Sequence, residues 1–225
     1  MKISIIIPVY NEMSTLPKLL GKLSGMLALG HELIIVDGGS SDSTIQEISF
    51  AEVKVIKTGK GRAVQMNAGA AISSGDILWF LHADSDFVLP VEEYIVLLQG
   101  LNDQAWGRFN IRLSGEKIVF RLIECLMNIR SCSSGISTGD QGIFISRQLF
   151  DRVNGFSDIL IMEDINICMK LKKLKKPDCL KATLITSSRR WEQQGIIATI
   201  ILMWRMRVLY FMGVSPEKLA KLYEK

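Results

Sequence analysis

Short apolar runs alternate with amphipathic segments through the first hundred residues. Runs rich in β-branched and aliphatic residues predict four strands, at 3–8, 32–37, 53–57 and 77–81. Leucines at helical spacing predict a helix at 14–27 with Ser14 as its N-cap, and further helices are expected at 43–50 and 62–72. Strands that alternate with helices indicate an α/β fold: a mostly parallel, doubly wound central sheet with helices on both faces.

The second half of the chain is less regular. Its predicted strands are 105–113, 142–145 and 180–186, and its predicted helices are 116–129, 147–153 and 163–174. Residues 131–140 are rich in serine and glycine, which predicts a loop long enough to be functional. We see no repeat or low-complexity linker, so we expect residues 1–225 to form one domain.

The C-terminal segment 195–214 is strongly apolar, but Arg205 and Arg207 interrupt it. Two arginines make a membrane-spanning helix costly. Two interpretations stay open: a helix packed on the core, or a helix lying in a membrane interface with its arginines at lipid headgroups. A short helix at 217–223 follows.

Composition narrows the class of protein. The 225 residues are 48% hydrophobic and 22% charged, which is typical of a globular protein. The net charge of +4 is unevenly spread, because residues 169–225 hold 13 lysines and arginines against 4 acidic residues. Such a basic segment suits phosphates or acidic lipids, and no nucleic-acid-binding pattern accompanies it, so no nucleic-acid partner is expected.

Cysteine usage and the N-terminus point to the cytoplasm. Cys125, Cys132, Cys168 and Cys179 form no C-x-x-C pair, so we expect reduced thiols. Met1 is followed almost at once by an apolar strand, which predicts no secretory signal peptide. The expected location is cytoplasmic. If the C-terminal helix lies in a membrane interface, the protein would be peripheral at the inner face of the membrane.

Polar, turn-forming residues follow each of the first four strands. These segments are 8–12 (PVYNE), 37–44 (DGGSSDST), 59–69 (GKGRAVQMNAG) and 82–86 (HADSD). Because the carboxyl ends of parallel strands meet at one sheet edge, we expect a single ligand site there. Asp37 suits a base or ribose hydroxyl, and Lys60 and Arg62 supply cations for phosphate. Asp84 and Asp86, with His82, offer ligands for Mg²⁺ or Mn²⁺.

Taken in order, these segments resemble the family 2 glycosyltransferases, which have the GT-A fold. The resemblance also includes residues 139–144 (GDQGIF) and 162–164 (MED) and runs from Ile3 to at least Trp191. A subgroup of small bacterial transferases pairs His-Ala-Asp with Ser-Arg-Arg-Trp, which stands here at 188–191. The resemblance implies a nucleotide-binding half at 1–100, an acceptor and catalytic half at 101–191 and a helical tail at 192–225.

The resemblance also implies roles for individual residues. Asp164, with Glu163 beside it, would supply the catalytic base. Asp84 would sit at the metal-binding end of the Asp-x-Asp motif, with Asp86 or His82 assisting, although His82 replaces the usual first aspartate. The donor-binding residues expected are Pro8, Tyr10, Glu12, Asp37, Lys60, Arg62, Asn67, Ala83, Asp84, Arg189, Arg190 and Trp191, with the two C-terminal arginines on the diphosphate and the indole on a sugar face.

The expected activity is hexosyl transfer from a nucleoside diphosphate sugar to an acceptor hydroxyl, with inversion and with Mn²⁺ or Mg²⁺. The basic, apolar tail allows a lipid-linked acceptor, a membrane surface or a homodimer as partners. One alternative is a sugar-nucleotide pyrophosphorylase, a class that resembles a glycine-rich, arginine-containing loop after the first strand, where this chain has PVYNE. The other is a catalytically silent nucleotide-binding or membrane-docking protein of the same fold.

Overall fold

A computed structural model describes residues 1–46, 48 and 52–223. Within these residues, eight strands form one mixed sheet in the order β3-β2-β1-β4-β7-β6-β8-β5. They are β1 (Ile3–Val9), β2 (Glu32–Asp37), β3 (Lys54–Lys57), β4 (Ile77–Phe80), β5 (Asp86–Phe87), β6 (Trp106–Leu113), β7 (Phe144–Ser146) and β8 (Asp178–Thr186). The first four strands are mutually parallel where they pair, and β6 and β8 are also parallel. β7 is antiparallel to both its neighbours, and β5 is antiparallel to β8.

Ten helices in the described residues surround this sheet. They are α1 (Leu16–Leu23), α2 (Gly25–Ala28), α3 (Arg62–Ile72), α4 (Val91–Gln99), α5 (Ile118–Ser134), α6 (Arg147–Arg152), α7 (Glu163–Leu171), α8 (Arg189–Gln194), α9 (Ile196–Phe211) and α10 (Pro216–Tyr223). A 3₁₀ turn covers Gly139–Gln141. The two long predicted segments at 32–37 and 62–72 begin and end where the sequence pattern placed them.

Both faces of the sheet are covered, which explains why its strands read as continuous apolar runs. Ile5 and Ile35 face one core, which also holds apolar residues of α1 and α4. Ile6 and Ile34 face the other, which holds residues of α3, α6, α7, α9 and α10. The predicted α/β class with helices on both faces is therefore confirmed.

Several predicted boundaries are wrong. The helix expected at 43–50 is absent at 44–46, which form turns, and residues 47 and 49–51 lie outside the described part. The loop expected at 131–140 begins later, because α5 continues to Ser134 and is ended by Gly135 in the left-handed conformation (φ 66°). The helix expected at 14–27 is divided at Ser24. Helices α4 and α8 and the short strand β5 were not predicted.

The expectation of four reduced cysteines is wrong for two of them. The extra turns of α5 bring Cys132 to the start of β8, where it forms a disulfide with Cys179. Their Cα atoms lie 5.9 Å apart, an ordinary separation for a disulfide. The pairing spans 47 positions and depends on tertiary contact, so no local spacing indicated it. Cys125 and Cys168 are free.

The C-terminal helix α9 has features expected of a helix packed on the core and features expected of a helix in a membrane interface. Thr199 and Met206 are buried, and Leu209 packs on the core that contains α7. Ile201 and Trp204, by contrast, are 61% and 62% exposed. Across residues 1–46, 48 and 52–223, no helix has the length and apolarity that crossing a membrane requires.

Candidate active site

The ends of β1 and β2 are joined by their own loops. The Asn11 N–H donates to Ser40 Oγ (2.9 Å), and the Glu12 N–H donates to Thr44 Oγ1 (2.8 Å). In return the Ser41 N–H donates to Asn11 Oδ1 (2.8 Å). We call residues 8–12, 37–44, 59–62 and 82–84 the strand-end site, because they follow four neighbouring parallel strands and line one edge of the sheet.

The strand-end site presents an acid, an aromatic ring and a cation. Asp37 is almost fully buried and accepts a hydrogen bond from the Ser40 N–H (2.9 Å). Tyr10 is 40% exposed, and Lys60 Nζ lies 4.3 Å from the centroid of its ring. An exposed ring can stack on a planar base, and an exposed ammonium can pair with phosphate. Pro8 belongs to β1, and Glu12 accepts a hydrogen bond from the Thr15 hydroxyl (2.6 Å).

Gln65 fixes this edge from below, and sequence reasoning assigned it no role. Its Nε2 donates to the carbonyls of Val9 (2.8 Å) and Val36 (2.7 Å), so one side chain joins the ends of β1 and β2. A Cβ at position 38 would lie 3.0 Å from Gln65 Nε2, so Gly38 permits the close approach. The available signal was an amide on the inward-facing side of α3, among alanines and Met66.

The three candidate metal ligands are divided between two cavities: Asp84 and Asp86 line one, and His82 lines the other. Asp86 is paired with Lys18 (2.7 Å) and with Lys22, and it lies in the edge strand β5. His82 packs against Gly139, where a Cβ would lie 2.5 Å from His82 Nε2. Asp84 is left as the carboxylate at the end of β4. In the part of the chain that is described, no three His, Cys, Asp or Glu side chains are grouped as a metal cluster.

A pair of carboxylic acids opens α7 beside the strand-end site. Met162 precedes them with φ of 71°, a conformation that non-glycine residues rarely adopt, and its side chain is buried. Glu163 is 6% exposed. Asp164 Oδ2 accepts a hydrogen bond from the Gly139 N–H (3.0 Å), and Oδ1 accepts one from the Ile165 N–H (2.7 Å). Asp164 is therefore held in one orientation.

Burial shifts the titration of this pair. Burial first, and then the negative charge of Asp164, together raise the pKa of Glu163 to about 7. Burial also raises the pKa of Asp164 above its ordinary value. The opposite effect holds for His82, because burial lowers its pKa to about 3, assisted by the charge of Arg62. The imidazole is accordingly neutral at physiological pH.

Arg62 connects the strand-end site with the carboxyl pair. Its side chain, with those of His82, Glu163 and Asp164, lines a small cavity of about 20 Å³. Its positive charge lowers the pKa values of both acids, against the larger effect of burial. One arginine thus borders the place expected for a diphosphate and the place expected for a base.

Two further charged groups, Arg130 and Asp140, lie near the carboxyl pair. Neither of them was assigned a role from the sequence. Burial lowers the pKa of Arg130, although the charges of Asp140 and Asp164 act in the other direction. Burial raises the pKa of Asp140. Within the described residues, Arg130 Nε and Nη2 and Asp140 Oδ1 are buried atoms without a hydrogen-bond partner.

The Ser-Arg-Arg-Trp segment is divided among three environments. Arg189 lines a second cavity of about 290 Å³, together with Ala83 and Asp84. Arg190 stacks on the ring of Tyr223, 4.0 Å from the centroid, and burial lowers its pKa. Trp191 is partly buried and packs against the cluster around Phe120, and its contact with a sugar face stays a prediction.

Asn67 also has a different environment from the one expected. Its Nδ2 donates to the Phe156 carbonyl (2.8 Å), and its Oδ1 accepts from the Phe156 N–H (3.0 Å). Both ends of the amide are therefore engaged with the backbone. In this structure Asn67 holds the loop before α7, and its contact with a donor stays a prediction.

Residues 4–103 match the family model described as Glycosyl transferase family 2. The probable glycosyltransferase YdaM of Bacillus subtilis is 26% identical, over 94% of this chain and 55% of the relative. The undecaprenyl-phosphate 4-deoxy-4-formamido-L-arabinose transferase of Yersinia pestis is 33% identical, over 64% of this chain and 47% of the relative. The chain thus spans about half the length of these two relatives. These matches support a family 2 glycosyltransferase.

Solved structures share the fold. Staphylococcus aureus TarS 1-349 in complex with UDP superposes with a TM-score of 0.67 at 18% identity, over 83% of this chain and 60% of TarS. Glucosyl-3-phosphoglycerate synthase from Mycobacterium tuberculosis, in complex with Mn²⁺, UDP-glucose and phosphoglyceric acid, superposes with a TM-score of 0.66 at 17% identity, over 95% of this chain and 80% of the synthase. The fold is accordingly the GT-A fold that the resemblance predicted.

Proposed function

We propose that this chain is a hexosyltransferase that moves a sugar from a nucleoside diphosphate sugar to an acceptor hydroxyl, with inversion at the anomeric carbon. The observation that carries the proposal is the meeting of two features at Arg62: a polar strand-end site on one side and a buried carboxyl pair on the other. The first suits a nucleotide, and the second suits proton transfer. The two solved structures described above were obtained with UDP and with UDP-glucose, which supports the donor class.

The strand-end site would hold the nucleotide. Asp37 accepts hydrogen bonds from a base or ribose, and Tyr10 offers a stacking face. Lys60, over that ring, and Arg62, at the start of α3, would neutralise phosphate charge. Arg189, which shares a cavity with Asp84, is the third cation placed for the diphosphate. In this arrangement residues 1–100 bind the donor, residues 101–191 complete the catalytic site and 192–225 form the helical tail.

Asp164 is the proposed general base. An acceptor hydroxyl is a poor nucleophile until its proton is withdrawn. In a single displacement, the hydroxyl oxygen forms a bond to the anomeric carbon while the bond from that carbon to the diphosphate oxygen breaks. The proton passes to Asp164, and the nucleoside diphosphate leaves with the bonding electrons. The raised pKa of Asp164 brings this carboxylate closer to the pH at which a base is most effective.

The residues present fit a divalent cation held with the donor rather than by a preformed protein cluster. Mg²⁺ sites commonly use one or two carboxylates together with substrate phosphates and water. Asp84 would supply that carboxylate, since Asp86 is occupied by two lysines. When bound, Mn²⁺ or Mg²⁺ would offset charge on the departing diphosphate. The Mn²⁺ in the synthase structure supports this choice of ion.

Release of nucleoside diphosphate tests the proposal. The purified protein is incubated with a panel of UDP-, GDP- and TDP-sugars, with Mn²⁺ or with a chelator. We expect slow donor hydrolysis for at least one donor, dependent on the cation and lost in Asp164→Asn. A pyrophosphorylase would instead require pyrophosphate and release a nucleoside triphosphate. If every donor raises the melting temperature but none is cleaved, with or without acceptor alcohols, the silent binding protein is the correct description.

A further inference from the structure

Two helices of this chain expose apolar stripes that its own core does not cover. On α9, the exposed residues Ile197, Ile201, Trp204, Val208 and Phe211 recur at spacings of three and four, so they share one face. On α5, the exposed residues Ile118, Leu122, Leu126 and Ile129 do the same. We call these nine residues the α5–α9 surface. Large exposed apolar patches commonly mark sites of interaction.

The two stripes lie on helices that share one small buried cluster. Phe120 and Ile123, on the inner side of α5, form a buried cluster with Leu113. Ile196 and Ile200, in the first turns of α9, pack against that same cluster. The residues that follow each of these positions on α9 are Ile197 and Ile201, which are 74% and 61% exposed. The shared cluster therefore joins the first turns of α9 to the inner side of α5.

Arginines flank the stripe on α9. At about 100° per residue, Arg205 and Arg207 lie about 80° to either side of the centre of the stripe. Arg205 is exposed, and Arg207 is partly exposed. This geometry suits a helix lying in the plane of a bilayer, where long basic side chains reach up to headgroup phosphates while the apolar face is buried.

Acidic groups do not oppose these arginines on the two helices. α9 contains no aspartate or glutamate, and the single acid of α5, Glu124, is buried. Glu124 accepts a hydrogen bond from the Leu113 N–H and pairs with Arg121 (2.9 Å). Glu116 precedes α5, and Glu192 in α8 accepts a hydrogen bond from Ser188. The charge on the surface is therefore cationic.

We propose that the α5–α9 surface docks on an anionic lipid bilayer. The charges favour this occupant over a second copy of the chain. In a two-fold dimer through α9, Arg205 and Arg207 of each copy would meet a helix that offers no acid, and cations left without a counter-charge in an interface are costly. Anionic headgroups supply the missing negative charge. The inference concerns the surface alone and stands whether or not the proposed activity is correct.

Vesicle flotation tests the docking surface. The full chain is floated with phosphatidylcholine vesicles that contain or lack phosphatidylglycerol, at low and at high salt. We expect recovery with the anionic vesicles at low salt, and weaker recovery with neutral vesicles or at high salt, because salt screens the headgroup attraction. Trp204→Glu and Leu122→Glu should each lower the affinity for anionic vesicles by about tenfold or more.

The control variant is Val96→Glu. Val96 is 66% exposed on α4, which packs on the opposite face of the sheet, so the same chemical change there should leave flotation unaltered. Thermal melting confirms that each variant is folded. The proposal is overturned if the wild-type chain fails to float with anionic vesicles at low salt. It is equally overturned if Trp204→Glu dissociates a dimer in sedimentation while flotation stays unchanged.

Discussion

The strand-end site and the carboxyl pair adjoin at Arg62 but differ in their surroundings. Tyr10 and Lys60 are exposed, and the loop that carries Tyr10 is joined to the loop after β2 by hydrogen bonds between backbone and small polar side chains. Glu163 is buried with its pKa raised to about 7, and Asp164 is fixed by two backbone N–H groups. An open polar edge suits a large charged ligand, whereas a carboxyl pair with raised pKa values suits proton transfer.

Under the proposed function, donor binding and chemistry would be supported by separate elements of the fold. The strand-end site depends on the parallel pairing of the four strands β1, β2, β3 and β4. It also depends on Gln65, which joins the ends of β1 and β2. The pair depends on the loop between α5 and β7, since the Gly139 N–H orients Asp164. Substitutions in one region should therefore change donor affinity, and substitutions in the other should change turnover.

The largest effect is expected at Asp164. Asp164→Asn should lower turnover by about 100-fold or more, because an amide cannot accept the acceptor proton. Donor affinity should stay within about twofold of wild type, since the side chain lies outside the strand-end site. Steady-state kinetics and calorimetric donor titration measure the two quantities. An equal loss of affinity and turnover would show that Asp164 belongs to the binding region.

Asp84 belongs to the strand-end site, but its proposed role in holding the cation also serves the chemistry. Asp84→Asn should lower cation-dependent turnover by about 100-fold and remove the part of nucleotide affinity that depends on the cation. Nucleotide titrations with Mn²⁺ and with chelator measure that part directly. Full turnover of the variant at limiting Mn²⁺ would exclude Asp84 as the ligand.

The raised pKa of Glu163 should make the free energy of unfolding depend on pH. The native state keeps its proton up to about pH 7, whereas the unfolded chain releases it near the ordinary value of 4.5. The native state therefore binds more protons between these values, and the free energy of unfolding falls as pH rises through this window. Glu163→Gln should remove about 3 kcal/mol of that fall. Urea unfolding at several pH values checks it, and an unchanged slope would contradict the raised pKa.

Asp37 represents the binding region. Asp37→Ala should weaken donor binding by about tenfold or more, through loss of a charged hydrogen-bond acceptor. Turnover at saturating donor should change little. Asp37→Asn is the matched variant, because it keeps an oxygen for the Ser40 N–H and should retain the local loop. Normal affinity in both variants would remove Asp37 from the donor site.

The smallest effect is expected at Asp86. Its carboxylate pairs with Lys18 and Lys22 at the surface, and such pairs contribute about 1 kcal/mol or less. Asp86→Asn should leave cation-dependent turnover within about threefold of wild type, far from the effect of Asp84→Asn. If Asp86→Asn has the larger effect on the cation requirement, the shifted Asp84-Ser85-Asp86 motif is the metal site.

The strand-end site was predictable because it is local. Each segment directly follows a run that reads as a buried strand, so parallel pairing alone brings Asp37, Lys60 and Asp84 to one edge. The ranges of β2 and α3 were predicted for the same reason. Features that depend on tertiary contact were not predicted. They are the hydrogen bond of Gly139 to Asp164, the packing of Trp191 and the Cys132–Cys179 disulfide.

Two side chains make contacts that the motifs did not predict. Asn67 and Trp191 belong to segments that resemble a donor site, yet one caps a loop and the other fills a cluster between α5 and α9. Residue type indicates what a side chain is able to do, and only its neighbours decide which of those capacities is used. The ion pairs of Asp86 with lysines of α1 follow the same rule.

The most direct test of separate binding and chemistry is a double-mutant cycle of Asp37→Ala and Asp164→Asn, read by donor affinity and by turnover at saturating donor. Two independent regions predict that the double variant has the affinity of Asp37→Ala and the turnover of Asp164→Asn, with coupling within about 0.5 kcal/mol. The account would be contradicted if the double variant kept the donor affinity of Asp164→Asn and the turnover of Asp37→Ala. A coupling above about 1 kcal/mol in either readout would also contradict it.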